Sequence, residues 1–150
     1  YRSFFYGDTE EVLAQLTRRL RNRFPTLKVA GAYSPPFRPL SAEEDEEITE
    51  MINQAKPDVL WVGLGLPRQE QWIFAHRDRL RVPVVVAVGA AFKFASGEVK
   101  PAPTWISAHG LEWVWRFAHE PRRLWHRVGV YGPQFVTQAL LELSGLRNFD

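Results

Sequence analysis

The sequence contains no cysteine, so disulfides, thiolate metal sites and cysteine nucleophiles are excluded together. No uninterrupted apolar run reaches the roughly 18–20 residues that a membrane-spanning helix needs. No signal peptide opens the chain, and Tyr1 stands where an initiator methionine would be, so the sequence reads as part of a longer chain. Neither sign of charge dominates: the formal net charge of +2 makes the molecule no polycation for nucleic acid. Internal repeats and low-complexity segments are absent too. What is there, 150 residues with 45% hydrophobic and 24% charged side chains, is enough for one globular domain with a sizeable core.

Apolar runs and helical periodicities alternate along the first hundred residues. Ser3–Tyr6 reads as a short strand ending at Gly7. Asp8 or Thr9 caps a helix that runs to about Phe24, with Val12, Leu13, Leu16 and Leu20 on one side and Pro25 stopping it. Leu27–Tyr33 is a second strand, and the prolines of the segment from Ser34 to Pro39 exclude regular structure there. Ser41 caps an acidic helix from Ala42 to about Ala55, with Glu44 completing a capping box. Its run of Glu43, Glu44, Asp45, Glu46 and Glu47 reads as a solvated face that complements the helix dipole. Asp58–Val62 is the third strand and Pro67–Leu80 the third helix. Val82–Val88 is a fourth strand, and its uniformly apolar character predicts a central, parallel position. The alternation predicts a Rossmann-like, three-layer α/β/α fold with a parallel sheet over residues 1–100.

The stretch Val59–Ile73 holds the densest signal. A strand ends in Gly63-Leu64-Gly65, Pro67 suits a first helical turn, and Gln69 and Glu70 stand at its mouth. Free N–H groups and the dipole of that helix would favour an anion. An ordinary strand-to-helix turn without a ligand remains open on these residues alone. In parallel sheets ligands bind beyond the carboxyl ends of the strands, and Gly89-Ala90-Ala91-Phe92 follows the fourth strand, so a pocket is expected between the two turns. A dinucleotide fingerprint would need a third glycine and an acidic residue about 20 positions on; Val82-Pro83-Val84 occupies that distance.

After Gly97 the character changes to a helical, Arg- and Trp-rich appendage over residues 101–150. Pro103 to about His109 is a short helix ended by Gly110, Pro121 restarts a helix, and Tyr131–Leu143 is a last amphipathic one. Arg116, Arg122, Arg123 and Arg127 face a single Glu120, and Trp105, Trp113, Trp115 and Trp125 lie in the same neighbourhood. Arginine forks suit a diphosphate, and tryptophans mixed with arginines suit a membrane interface. A surface helix with packed rings and solvated arginines accounts for the same residues. His76, His109, His119 and His126 show no zinc spacing and read as packing or surface side chains.

Taken in order, Gly65-Leu66-Pro67-Arg68-Gln69-Glu70-Gln71-Trp72, Val88-Gly89-Ala90-Ala91-Phe92, Gly97-Glu98-Val99-Lys100, Ala102-Pro103, Gly110-Leu111-Glu112-Trp113 and Glu120-Pro121-Arg122-Arg123-Leu124-Trp125 form a specific pattern. It resembles the WecG/TagA/CpsF family of bacterial glycosyltransferases (glycosyltransferase family 26) over nearly the whole chain. The resemblance implies transfer of a hexose or an N-acetylhexosamine such as N-acetylmannosamine. The donor would be a UDP-sugar and the acceptor an undecaprenyl-diphosphate-linked sugar in cell-surface polysaccharide synthesis. It also implies inversion by direct displacement, with no tightly bound metal and no cofactor. The enzyme would act peripherally at the cytoplasmic face of the cell membrane, without nucleic acid, and self-association into a homo-oligomer accompanies the family.

By the same resemblance Gln69 is important for activity in the sugar-nucleotide pocket. Gly63, Gly65, Pro67, Glu70, Gly89, Ala90, Phe92 and Lys93 line that pocket, and Arg116, Arg122, Arg123 and Arg127 bind the lipid diphosphate. Two positions depart from the family. Lys93 replaces an aspartate expected near the nucleotide, where a lysine could pair with phosphate, and Pro101 replaces an arginine. Tyr1 matches about the family's middle, so the aspartate to which the family's catalysis is assigned is expected outside this chain. A catalytically inactive Rossmann-like module that binds a nucleotide or a partner is the alternative reading.

Overall fold

A computed structural model describes residues 1–99, 103–111, 114, 115, 118, 125, 129 and 131–143. The chain divides into two compact units, Tyr1–Lys100 and Pro101–Asp150.

The first unit alternates strand and helix: β1 (Arg2–Gly7), α1 (Glu10–Arg23), β2 (Lys28–Tyr33), α2 (Ala42–Ala55), β3 (Val59–Gly63), α3 (Arg68–His76), β4 (Val84–Ala87) and α4 (Ala91–Ser96). The strands form one parallel sheet in the order β2-β1-β3-β4. Successive strand side chains point to opposite faces, and β1 shows the consequence. Phe4 and Tyr6 join Ile48 and Ile52 of α2, Leu60 and Val62 of β3, and Trp72 and Ile73 of α3. Phe5 points the other way, onto Val12, Leu13 and Leu16 of α1 and Phe92 of α4. Helices therefore cover both faces, giving the three-layer, Rossmann-like α/β architecture that the sequence predicts.

Local chemistry sets the helix starts. The Thr9 hydroxyl accepts from the Val12 N–H at 3.3 Å, with Glu10 and Glu11 in the first turn of α1 and Arg21 and Arg23 in its last. Ser41 and Glu44 make the reciprocal capping box of α2. Such caps contribute about 1 kcal/mol each, while the buried apolar stripes supply most of the helix stability.

Three expectations are corrected. β4 is parallel but lies at the sheet edge, paired only with β3 among the described residues, and Val84 is 48% exposed. An apolar run reports which faces are covered by helices, not how many strands lie alongside. α3 ends at His76 rather than Leu80, and the chain leaves it through a tighter turn in which the Arg79 N–H donates to the His76 carbonyl three residues back at 2.9 Å. The acidic start of α2 is only partly solvated: Arg38 pairs with Glu44, and Arg79 pairs with Asp45 and Glu46.

In the second unit α5 (Thr104–Ala108) is followed by Gly110 at φ +69°, and α6 (Gly132–Leu143) ends the described part. Phe135, Val136 and Leu140 of α6 are exposed, as is the preceding Tyr131.

Candidate functional site

β1 leads through α1 to β2 on one side, and the chain then returns through α2 to β3 on the other. The strand order thus reverses between β1 and β3. Beyond the carboxyl ends of those two strands lies the crevice in which open parallel sheets bind their ligands.

Glycine makes this crevice narrow. Gly7 and Gly63 are register partners, and the Asp8 N–H donates to the Gly63 carbonyl at 3.2 Å. A Cβ on Gly7 would lie 2.5 Å from the Gly63 backbone, and one on Gly63 would lie 2.5 Å from the Phe92 ring. Gly63 is thus required by the packing of α4 against β3, and Phe92, 4% exposed, meets Phe5 edge-on at 5.8 Å as a core residue. Gly65 differs: its φ of +77° is left-handed and the space beside it is open.

Gln69 is 4% exposed, and both ends of its amide are engaged. The side-chain oxygen accepts from the Gly89 N–H at 2.8 Å, and the side-chain nitrogen donates to Glu70 at 2.9 Å. Gln69 therefore braces the turn after β4 against the start of α3. Its own N–H donates to the Gly65 carbonyl at 2.9 Å and so is not free for an anion. Pro67 and Glu70 are exposed around it, and Ala90 stands at the N-terminal boundary of α4.

Lys93 crosses from α4 towards the end of β1. Its Nζ lies 3.5 Å from Glu98 and 4.0 Å from the Asp8 carboxylate, whose side chain is only 7% exposed. Asp8 itself sits at φ +54°, a conformation that aspartate tolerates better than most residues do, and its carboxylate accepts from the Thr9 N–H at 3.0 Å. Sequence reasoning saw Asp8 only as a candidate helix cap. The signal available was its place directly after the glycine that ends β1, the strand at the reversal.

A second polar cluster lies under the α2/α3 layer. His76 is 4% exposed; its Nδ1 meets the Trp72 carbonyl at 2.7 Å and its Nε2 meets Asp45 at 2.8 Å. The ring is thus held from both sides, by the backbone of its own helix and by a side chain of α2. Burial works to raise the Asp45 carboxyl, but hydrogen bonds from Arg79 and His76 prevail and hold it below its ordinary range. Burial, aided by Asp45, pushes the Tyr6 hydroxyl far up. Trp72 stacks on His76 at 4.1 Å and leans on Tyr6 at 4.6 Å, so this cluster holds α3 on the sheet from behind the site.

Two open grooves lie away from the turns after β3 and β4, between which the sequence places a pocket. An open groove of about 550 Å³ runs between α1 and β2, lined by Leu13, Thr17, Arg18 and Tyr33 among others. A smaller one of about 420 Å³ lies beside Thr9 and Pro35–Phe37. Neither is lined by Gly63, Gly65, Gln69 or Gly89. Arg116, Arg122, Arg123 and Arg127 lie outside the described residues.

A family model described as "Glycosyl transferase WecG/TagA/CpsF family" matches residues 1–148. The chain is similar to the N-acetylglucosaminyldiphosphoundecaprenol N-acetyl-beta-D-mannosaminyltransferase of Bacillus spizizenii, with 34% identity over 139 residues, 93% of this chain and 51% of the relative. The protein of the same name from Bacillus subtilis is 30% identical over 148 residues, covering 99% of this chain and 55% of the relative. That from Staphylococcus aureus strain MW2 is 31% identical over 126 residues, 84% and 46% of the two chains. The chain spans about half the length of these relatives.

Proposed function

The chain belongs to the glycosyl transferase WecG/TagA/CpsF family, and we propose that it is the sugar-nucleotide- and lipid-binding portion of such an enzyme. The donor is a UDP-sugar carrying a hexose or N-acetylhexosamine of the N-acetylmannosamine type. The acceptor is a sugar linked through a diphosphate to undecaprenol. The observation that carries this reading is the family match over residues 1–148, which runs through the turns after β3 and β4 that Gln69 ties together. The relatives' names supply the substrate class, since they describe N-acetylmannosaminyl transfer to an N-acetylglucosaminyl-diphospho-undecaprenol.

The chemistry is a direct displacement at the anomeric carbon with inversion, in which a carboxylate takes the acceptor hydroxyl's proton. Glu70 is a poor choice for that base, because it is exposed and its carboxylate accepts from Gln69. What this chain contributes is a rigid, glycine-walled crevice, with Gln69 fixing the turn at Gly89. Gly65, Pro67, Gly89, Ala90 and Lys93 line the donor side, and Arg116, Arg122, Arg123 and Arg127 take the lipid diphosphate. Domain roles follow: residues 1–100 hold the donor and 101–150 the acceptor and membrane.

Peripheral association with the cytoplasmic face of the cell membrane completes the reading. No helix among the described residues is long and apolar enough to cross a bilayer, and α6 exposes Phe135, Val136 and Leu140 as a face that can enter the headgroup region. The test is turnover of UDP-N-acetylmannosamine with an undecaprenyl-diphosphate-linked N-acetylglucosamine acceptor, by this chain together with the remainder of a full-length relative. Transfer that falls at least about tenfold in Gln69→Ala, the factor that 1.4 kcal/mol makes, supports the reading. Transfer indifferent to Gln69 contradicts it.

A further inference from the structure

Lys93 and Asp8 are close without touching. Their 4.0 Å separation exceeds the length of a hydrogen bond, while an oxygen placed between them can bond to both at about 2.8 Å. The two ends of the gap differ in kind, since the ammonium only donates and the carboxylate only accepts. A hydroxyl group, which does both, satisfies the two at once. A phosphate does not, because it would face the Asp8 carboxylate directly and Glu98, 3.5 Å from the same ammonium, adds a second negative charge. The charge of Lys93 is thus already answered within the protein, against the phosphate role that its sequence position suggests.

Position favours a ligand there. The gap is bounded by the turn after β1, at the point where the strand order reverses, and by α4, which begins directly after the Gly89–Ala90 turn that Gln69 braces. Asp8 is anchored on both sides: its N–H is held by Gly63, its carbonyl accepts from the Ser34 hydroxyl at 2.6 Å, and its carboxylate by Thr9. It therefore presents its remaining acceptor capacity at little cost in entropy.

We propose that Asp8 and Lys93 form a hydroxyl-binding subsite that recognises a carbohydrate hydroxyl of the donor, on the ribose or on the transferred sugar. This rests on the sugar-nucleotide reading above and adds to it the side chains that select a polyol. Lys93 orients the hydroxyl and Asp8 accepts its proton, with no bond made or broken.

The experiment is calorimetric titration of the 150-residue chain with UDP, 2′,3′-dideoxy-UDP and UDP-N-acetylmannosamine, using wild type, Asp8→Asn, Lys93→Met and Gln69→Ala. A hydrogen bond to a charged group makes a difference of about tenfold in affinity. If the hydroxyl is the ribose's, Asp8→Asn and Lys93→Met each weaken UDP about tenfold and leave the dideoxy compound unchanged. If it belongs to the sugar, they abolish the difference between UDP-N-acetylmannosamine and UDP and leave UDP alone. Lys93→Met keeps the apolar stem, so it reports on the subsite should Asp8→Asn disturb the turn. Wild-type affinity for all three probes in both variants, with Gln69→Ala still weakened, overturns the subsite and spares the sugar-nucleotide reading. No binding of any probe to wild type overturns both.

Discussion

The Gln69 side-chain oxygen sits 2.8 Å from the Gly89 N–H, and this one hydrogen bond joins the start of α3 to the turn that follows β4. The relative placement of these two turns depends on it. Truncating Gln69 to alanine strands the Gly89 donor and costs about 1–3 kcal/mol. Chemical denaturation should read that loss. Gln69→Glu keeps the acceptor but sets two carboxylates side by side with Glu70 and should restore only part of the stability.

Gly63 and Gly65 are separated by one residue and should respond differently to alanine. At Gly63 the new methyl overlaps the Phe92 ring, an overpacking that costs about 1–3 kcal/mol and displaces α4. At Gly65 the space is open and only the left-handed backbone, φ +77°, opposes the change, by about 1–2 kcal/mol. A Phe92→Leu background should relieve Gly63→Ala and leave Gly65→Ala unaffected. Equal behaviour in that background would contradict the packing role.

Asp45 gives the fold an acid-sensitive element. Its carboxyl is held below the ordinary 3.8 by Arg79 and His76 against the opposing effect of burial. The unfolded chain therefore binds the proton more readily, and the contribution is complete above the ordinary carboxylate range and lost as pH falls through the depressed value. Stability of wild type should decline on acidification below about pH 4. Asp45→Asn should be less stable at pH 7 and show a shallower acid limb, measured as the denaturation midpoint against pH.

Much of the fold is legible in the sequence because local signals and burial agree there. Thr9, Ser41 with Glu44, and the alternation through Phe4, Phe5 and Tyr6 each fix a start, a cap or a face from neighbours a few residues away. The edge position of β4 is not legible, since Val84–Ala87 reports apolar surroundings and says nothing of its number of strand partners. The end of α3 is hidden because Leu80 keeps the helical spacing while the backbone before it tightens into a turn at Arg79. At the site, the turn chemistry of Gly65 and Gly89 is legible, while the hydrogen bond that joins Gly89 to Gln69 across 20 residues is not. Asp8 with Lys93, and Asp45 with His76, are pairs made by topology, and no local spacing brings such residues to mind.

On α6, replacing Phe135 and Leu140 with serine should weaken binding to anionic liposomes, read by sedimentation, by at least about a hundredfold, since each inserted apolar side chain contributes about 1.5–3 kcal/mol. Both side chains are exposed, at 71% and 61%, so folding should be unaffected. Unchanged sedimentation at equal helicity would remove the membrane role from this helix.

The most direct test of the central claim is calorimetric titration of the chain with UDP, run beside NAD. The account predicts micromolar to sub-millimolar binding of UDP, at least about fivefold weaker in Gln69→Ala, about 1 kcal/mol, and no comparable binding of NAD. Absence of UDP binding, or binding of NAD as tight as that of UDP, would contradict it and leave a Rossmann-like module with a different partner.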